Sequence, residues 1–300
     1  QLKDKMGNVS NASCETELRG ALGWLIGEEG RGIANILEMV ALTRFDCAVA
    51  AAAGMRQAAA QALHHCRYRS AFGARLAEQP LMLNVLADLA LEAEAATWLG
   101  LRLAQALDRA ASDETEALLL RIGTAVAKYW NCKRVPGHAY EAMECIGGSG
   151  VMETTIMPRL YREAPVNAIW EGSGNVQCLD VLRAIRKSPE SLDALLQEID
   201  RAAGGDARLA AHLKALQDAY PADACPPFHA RSFVAGLALA WQASLLIRSG
   251  NAAVADAFCA ARLGGVPNGG MTGGMNGGLY GTLPAGTDCR AILERCLPAA

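Results

Sequence analysis

No two of the ten cysteines in this sequence, at positions 14, 47, 66, 132, 145, 178, 225, 259, 289 and 296, stand at CxxC spacing. Zinc-ribbon and dithiol redox patterns are therefore excluded, and the thiols read as reduced side chains of a cytoplasmic protein. His64-His65-Cys66 does not make a metal site either, since neighbouring helix positions point about 100° apart. Charge of one sign is equally scarce. A formal net charge of −3 and a pI near 6.0 provide no global field for nucleic acid or an anionic membrane, so any polyanion site must be local. Neither an uncharged apolar run of eighteen residues nor a basic-then-apolar leader occurs, and no membrane partner is expected. An initial methionine is missing as well, and residues 1–22 read as one or two strand pieces turning at Gly7-Asn8. Residues 1–30 thus look like the end of a β domain.

What is present is a long run of helix signals. Of the 300 residues 52% are hydrophobic, enough for one large or two modest cores. Residues 31–66 are rich in alanine, leucine and methionine without proline, which favours a single long helix. Pro80 suits the first turn of a second helix reaching about Arg109, with Leu81, Val85, Leu86, Leu89 and Ala93 on one face. Asp113 and Glu116 form a candidate capping box for a third, which Pro136 should kink or split and Gly147-Gly148 should end. A fourth helix is expected from Val176 to about Arg186. Four long helices with short links predict an antiparallel bundle over 31–186. Shorter helical patterns near 191–202, 207–219, 228–249, 252–263 and 288–296 predict a separate small helical domain over 187–300. Within it, nine of the eighteen residues in 264–281 are glycine, a composition that predicts a mobile loop.

Chemistry concentrates in Ile169-Trp170-Glu171-Gly172-Ser173-Gly174-Asn175, which places one carboxylate in a glycine-flanked turn before a helix. Glycines let a backbone approach a ligand closely, and Ser173 and Asn175 can either cap the helix or hold a cofactor oxygen. Glu171 has two readings: a base made stronger by partial burial against Trp170, or a charge that answers helix dipoles or an arginine.

Together with Arg69-Ser70-Ala71-Phe72-Gly73-Ala74-Arg75-Leu76-Ala77-Glu78-Gln79, Glu144-Cys145-Ile146-Gly147-Gly148-Ser149-Gly150 and Leu25-Ile26-Gly27-Glu28-Glu29-Gly30-Arg31-Gly32, this turn resembles the acyl-CoA dehydrogenase family, with four motifs in the family's order. The resemblance implies a mainly α fold of the family's C-terminal bundle type, with a short β remnant before it and the small helical domain after it. It also implies bound FAD. Arg69, Phe72 and Gln79 match family positions that contact FAD; Glu144, Gly147 and Gly148 lie beside it, as do Ile169, Trp170, Gly172, Ser173, Gly174 and Asn175. Glu171 matches the base that removes the substrate α proton. The Arg69 contact crosses a subunit interface in the family, so a homodimer or homotetramer is implied. Two residues depart from the family's pattern: Trp170 replaces a smaller aromatic, and Glu144, an acceptor only, replaces a glutamine.

Tyr161-Arg162-Glu163-Ala164-Pro165-Val166-Asn167 and Leu179-Asp180-Val181-Leu182-Arg183 are similar to an alkylation-response branch of that family. By that similarity Arg183 enters the active-site cavity to pair with an acid or an anion; its alternative is a solvated helix charge. Two functions follow. One is FAD-dependent dehydrogenation of an acyl-CoA or related small molecule. The other is protective binding of double-stranded DNA with vestigial dehydrogenation. Residues 186–300 carry ten Lys+Arg against ten Asp+Glu, without the cationic excess that phosphate binding uses.

Overall fold

The computed structural model describes residues 1–220, 225–264 and 279–297. Three long helices dominate, α1 (Gly32–Tyr68), α2 (Pro80–Arg109) and α3 (Glu114–Ile146), followed by the short α4 (Met157–Glu163) and by α5 (Gly174–Lys187), which takes the place of the expected fourth. A two-stranded hairpin, β1 (Ser70–Ala71) and β2 (Ala74–Arg75), reverses the chain between α1 and α2, and a tight turn reverses it again before α3. Consequently α1 and α3 run the same way, with Cys132 Sγ 3.4 Å from the Cys47 carbonyl and Cys66 Sγ 3.5 Å from that of Cys145.

Small side chains let these two helices approach. Ala48, Ala51, Ala52, Ala58, Ala59 and Ala62 of α1 are buried, with Met55 filling the gap between them. Asn131 lies at 0% exposure on α3 and donates from Nδ2 to the carbonyls of Ala48 and Ala96, tying three helices together. Each fully buried Leu in this interior contributes about 1.5–3 kcal/mol.

The remaining helices are α6 (Glu190–Asp200), α7 (Ala207–Ala219), α8 (Ala230–Arg248), α9 (Ala252–Phe258) and α10 (Cys289–Cys296); α9 runs on through a π turn at Cys259–Leu263. They bury their apolar faces in the same hydrophobic cluster as the bundle. Gly123 in mid α3 shows how: a Cβ there would stand 2.7 Å from the Trp241 ring of α8. Pro227–Arg248 is long and apolar enough to cross a membrane, but most of it is buried as a core helix.

Several sequence expectations need correction. Pro136 does not split α3, which is continuous; packing of both flanking halves against α1 and α2 outweighs a penalty of about 3 kcal/mol. The expected strands before Gly32 reduce to one bridge, Leu2 with Cys14, around a turn where Asn8 has φ 52°; a lone pair of extended segments has no third strand to support it. Asp113 caps α3 through Thr115 N and Glu116 N, but Glu116 does not complete the capping box because its carboxylate pairs with Arg102. Gly147 ends α3 with φ 68°, as expected. The mobile loop expected at 264–281 lies outside the described residues over 265–278.

Candidate functional site

Glu171 sits between two elements that fix the ends of its turn: a 3-10 turn at Val166–Ala168 precedes it and α5 follows. Its backbone is left-handed, with φ 57°, and Gly172 continues at φ 97°. A non-glycine residue in that region is strained and persists only where its surroundings over-determine it. Here the surroundings are three side chains on three helices. Lys128 of α3 donates from Nζ to the carbonyls of Trp170 at 2.9 Å and Gly172 at 2.8 Å. Arg44 of α1 donates from Nε to the Glu171 carbonyl at 2.9 Å. Gln177 of α5 donates from Nε2 to the carbonyls of Glu171 and Gly172 at 3.1 and 3.0 Å.

The Glu171 carboxylate has neither a hydrogen bond nor an ion pair among the described residues, and the residue is half-buried. Trp170 beside it packs against the core. The reading of Glu171 as the partner of an arginine therefore does not hold. Ser173 occupies the N-cap position of α5 without a side-chain cap bond, and Asn175 instead accepts from Arg231 Nε at 2.8 Å. Gly174 is closely packed: a Cβ there would stand 3.0 Å from Lys133 Cε and 3.4 Å from the Tyr129 ring.

Asp180, buried one helical stretch further on, gathers three guanidiniums. Arg121 makes a two-pronged contact at 3.1 and 3.0 Å, Arg44 lies at 3.2 Å and Arg183 at 3.5 Å. Arg44 thus links the Glu171 carbonyl to this cluster. Arg183 reaches Asp180 three residues back on its own helix, and 59% of its side chain stays exposed.

The second group of expected residues lies elsewhere. From Arg44 to Arg69 is 25 residues of continuous helix, about 37 Å at 1.5 Å per residue. At that far end Phe72 forms the tip of the hairpin with φ 53°, 96% exposed, and Gln79 braces the hairpin by donating from Nε2 to the Ala71 carbonyl at 2.8 Å. Arg69 is exposed without an ion pair among the described residues. Glu144, Gly147 and Gly148 reach the same end, because Cys145 of α3 lies against Cys66 of α1, and both glycines face open space. The chain therefore presents two separate groups: a hairpin with a glycine apron at one end, and the 169–175 turn well down the bundle.

Lys128, Arg44, Gln177, Asp180 and Arg121 were missed by motif reading. The available signal was an ionisable residue inside an otherwise apolar helix stretch, as in Ala127-Lys128-Tyr129-Trp130. No group of three or more metal-ligating side chains occurs among the described residues, and all ten cysteines are free.

Long helices in this order, with a hairpin between the first two and a glycine-flanked carboxylate ahead of α5, define a helical-bundle domain. Residues 30–186 match the family model for the C-terminal domain of acyl-CoA dehydrogenase, and the chain belongs to the acyl-CoA dehydrogenase family. It is 51% identical over 206 residues to AidB of Escherichia coli K12, which carries an acyl-CoA dehydrogenase name, covering 69% of this chain and 38% of that protein. It is 35% identical over 212 residues to acyl-CoA dehydrogenase family member 11 of Caenorhabditis elegans, covering 68% and 34%. The crystal structure of Caenorhabditis elegans ACDH-11 in complex with C11-CoA superimposes with a TM-score of 0.77 at 29% identity, over 86% of this chain and 49% of that one. The chain spans less than two fifths of the length of these two curated relatives.

Proposed function

We propose that this chain supplies the base-bearing and cofactor-clasping bundle of an FAD-dependent acyl-CoA dehydrogenase, with Glu171 as the base. The observation that carries this reading is the Glu171 carboxylate, unpaired on a turn whose three successive carbonyls are all held from within the bundle. A carboxylate with no hydrogen bond or ion pair among the described residues is available to take the α proton of a thioester. Trp170 beside it packs against the core, and Glu171 itself is half-buried.

The two groups fit FAD. An unpaired guanidinium such as that of Arg69 matches a pyrophosphate in two-pronged geometry, the exposed Phe72 ring offers a face for stacking, and Gly147 and Gly148 leave room for close approach. When bound, FAD supplies the acceptor for the β hydrogen, which leaves as hydride. A separation of about 37 Å along α1 is too long for the hairpin and Glu171 of one protomer to share the reacting end of one flavin. A second copy therefore brings its hairpin to the first copy's flavin, and the assembly is a homo-oligomer. The acyl-CoA complex of the ACDH-11 relative supports an acyl-CoA thioester as substrate.

Double-stranded DNA is the less favoured partner. Of the ten basic residues in 186–300, Arg201, Arg208, Lys214, Arg248, Arg262 and Arg295 are already in ion pairs, so six of the ten charges are answered by carboxylates of the chain itself.

The test is an anaerobic titration of the flavin-loaded full-length protein with acyl-CoA thioesters of several lengths, beside Glu171→Gln. Bleaching of the flavin band that Glu171→Gln abolishes supports the reading. A flavin that stays oxidised, with salt-sensitive retention of duplex DNA, would overturn it in favour of DNA binding.

A further inference from the structure

Lys128 is a costly residue to place where it is. Its side chain is 1% exposed, in the middle of α3, and among the described residues no carboxylate pairs with it. The two titratable groups that most favour its charge, Cys132 and Cys47, are buried thiols whose ionisation burial pushes up, to about 12 for Cys132, while Arg44 opposes the charge and Glu171 adds a smaller attraction without an ion pair. At neutral pH both thiols are uncharged. Desolvation accordingly lowers the Lys128 ammonium below its ordinary range. An unpaired buried charge penalises folding unless its hydrogen bonds return the energy. The bonds it makes go to two backbone carbonyls, Trp170 and Gly172, which flank Glu171 on either side.

We infer that Lys128 is a positioning residue for Glu171: its ammonium straddles the turn and pins the left-handed backbone that holds the carboxylate ready. The inference rests on Glu171 being the base. Around it the roles divide by geometry. Arg44 and Gln177 hold the Glu171 carbonyl, while Gly172 is shared by Lys128 and Gln177. The Trp170 carbonyl has Lys128 as its partner and no other among the described residues. Losing Lys128 therefore frees the entrance of the turn first, and with it the torsions on which the Glu171 side chain depends. A neutral methionine of similar length removes the desolvation penalty together with the two bonds, so overall stability changes little while the turn loosens. A residue with a purely structural role would give the opposite pattern.

The experiment compares wild type, Lys128→Met, Gln177→Leu and Glu171→Gln in the flavin-loaded full-length protein, with Gln177→Leu loosening the same turn from α5 should Lys128→Met fail to fold. Amide hydrogen exchange across 169–174 is read beside the rest of the bundle, and the rate of anaerobic flavin reduction beside the affinity for acyl-CoA. The expected result is faster exchange confined to 169–174. Flavin reduction should slow by about a hundredfold, with affinity and flavin content little changed. Unchanged exchange in 169–174 would overturn the clamp. Faster exchange with an unaltered reduction rate would overturn the positioning role. Failure of the Glu171 reading is separately visible, because wild type and Glu171→Gln would then reduce flavin alike, and the exchange data would still decide the clamp.

Discussion

His138 makes stability depend on pH in a window where few other groups act. It lies at 0% exposure on α3, its Nε2 is 2.9 Å from the Leu89 carbonyl, and its ring meets Tyr280 edge-on at 5.5 Å. The Leu89 contact requires Nε2 to carry the proton, which leaves Nδ1 bare; Nδ1 has no hydrogen-bond partner. A second proton there would be a buried donor with nothing to receive it, close to the Arg134 guanidinium. Burial and, to a smaller degree, Arg134 lower its pKa from the ordinary 6.5 to about 4, against the upward pull of the Leu89 contact and Glu92. Since the folded value is depressed, the unfolded chain binds the extra proton between these limits. The stability tied to neutral His138 is whole above pH 6.5 and drains as pH falls towards 4. A gap of about 2.5 units at 1.36 kcal/mol per unit corresponds to roughly 3 kcal/mol. Urea midpoints of wild type and His138→Leu, measured from pH 7.5 to 4, test this. Wild type should lose stability over that span by about 3 kcal/mol more than the variant. Parallel curves would refute the argument. Glu92 does not confuse the result: burial alone would raise it, but Arg134 and Arg262 hold it down to about 2, so its contribution persists above pH 4.5 and fails only as pH falls towards 2.

Arg102→Met should destabilise by about 3–5 kcal/mol in chemical denaturation, because it strands Glu116 and leaves Glu198 to Arg201 and Arg248 at the junction of α2, α3 and α6. Gly172→Ala should lower stability by about 1–3 kcal/mol, since φ 97° disfavours a side chain and the new Cβ would stand 2.8 Å from Val176 Cγ1; a denaturation midpoint equal to wild type would contradict the geometry. Arg69→Gln and Phe72→Ala should each shift stability by less than about 0.5 kcal/mol, both residues being exposed, yet lower the flavin content of the full-length protein. Unchanged flavin content in both would remove the hairpin from the cofactor site.

Local sequence determined most of the helices and the motif positions, because those depend on neighbours a few residues away. A run rich in alanine, leucine and methionine without proline placed α1, Pro80 opened α2, Asp113 capped α3 and Gly147 closed it, since each acts through its own backbone torsions or an adjacent N–H. The same locality explains the failures. Pro136 reads as a break only while the packing of both halves of α3 is unseen, and Glu116 reads as a capping partner only until Arg102 arrives from α2. The Glu171 motif was legible as residues, but its chemistry was not. Whether that carboxylate is paired, and what strains its turn, depends on Arg44, Lys128 and Gln177, of which the first two are 127 and 43 positions away in the chain and all three lie on separate helices. Tertiary structure also decided that the cofactor motifs form two groups rather than one. Order along the chain carries no distance, whereas a continuous helix between Arg44 and Arg69 converts 25 residues into a length of about 37 Å that no side chain can span.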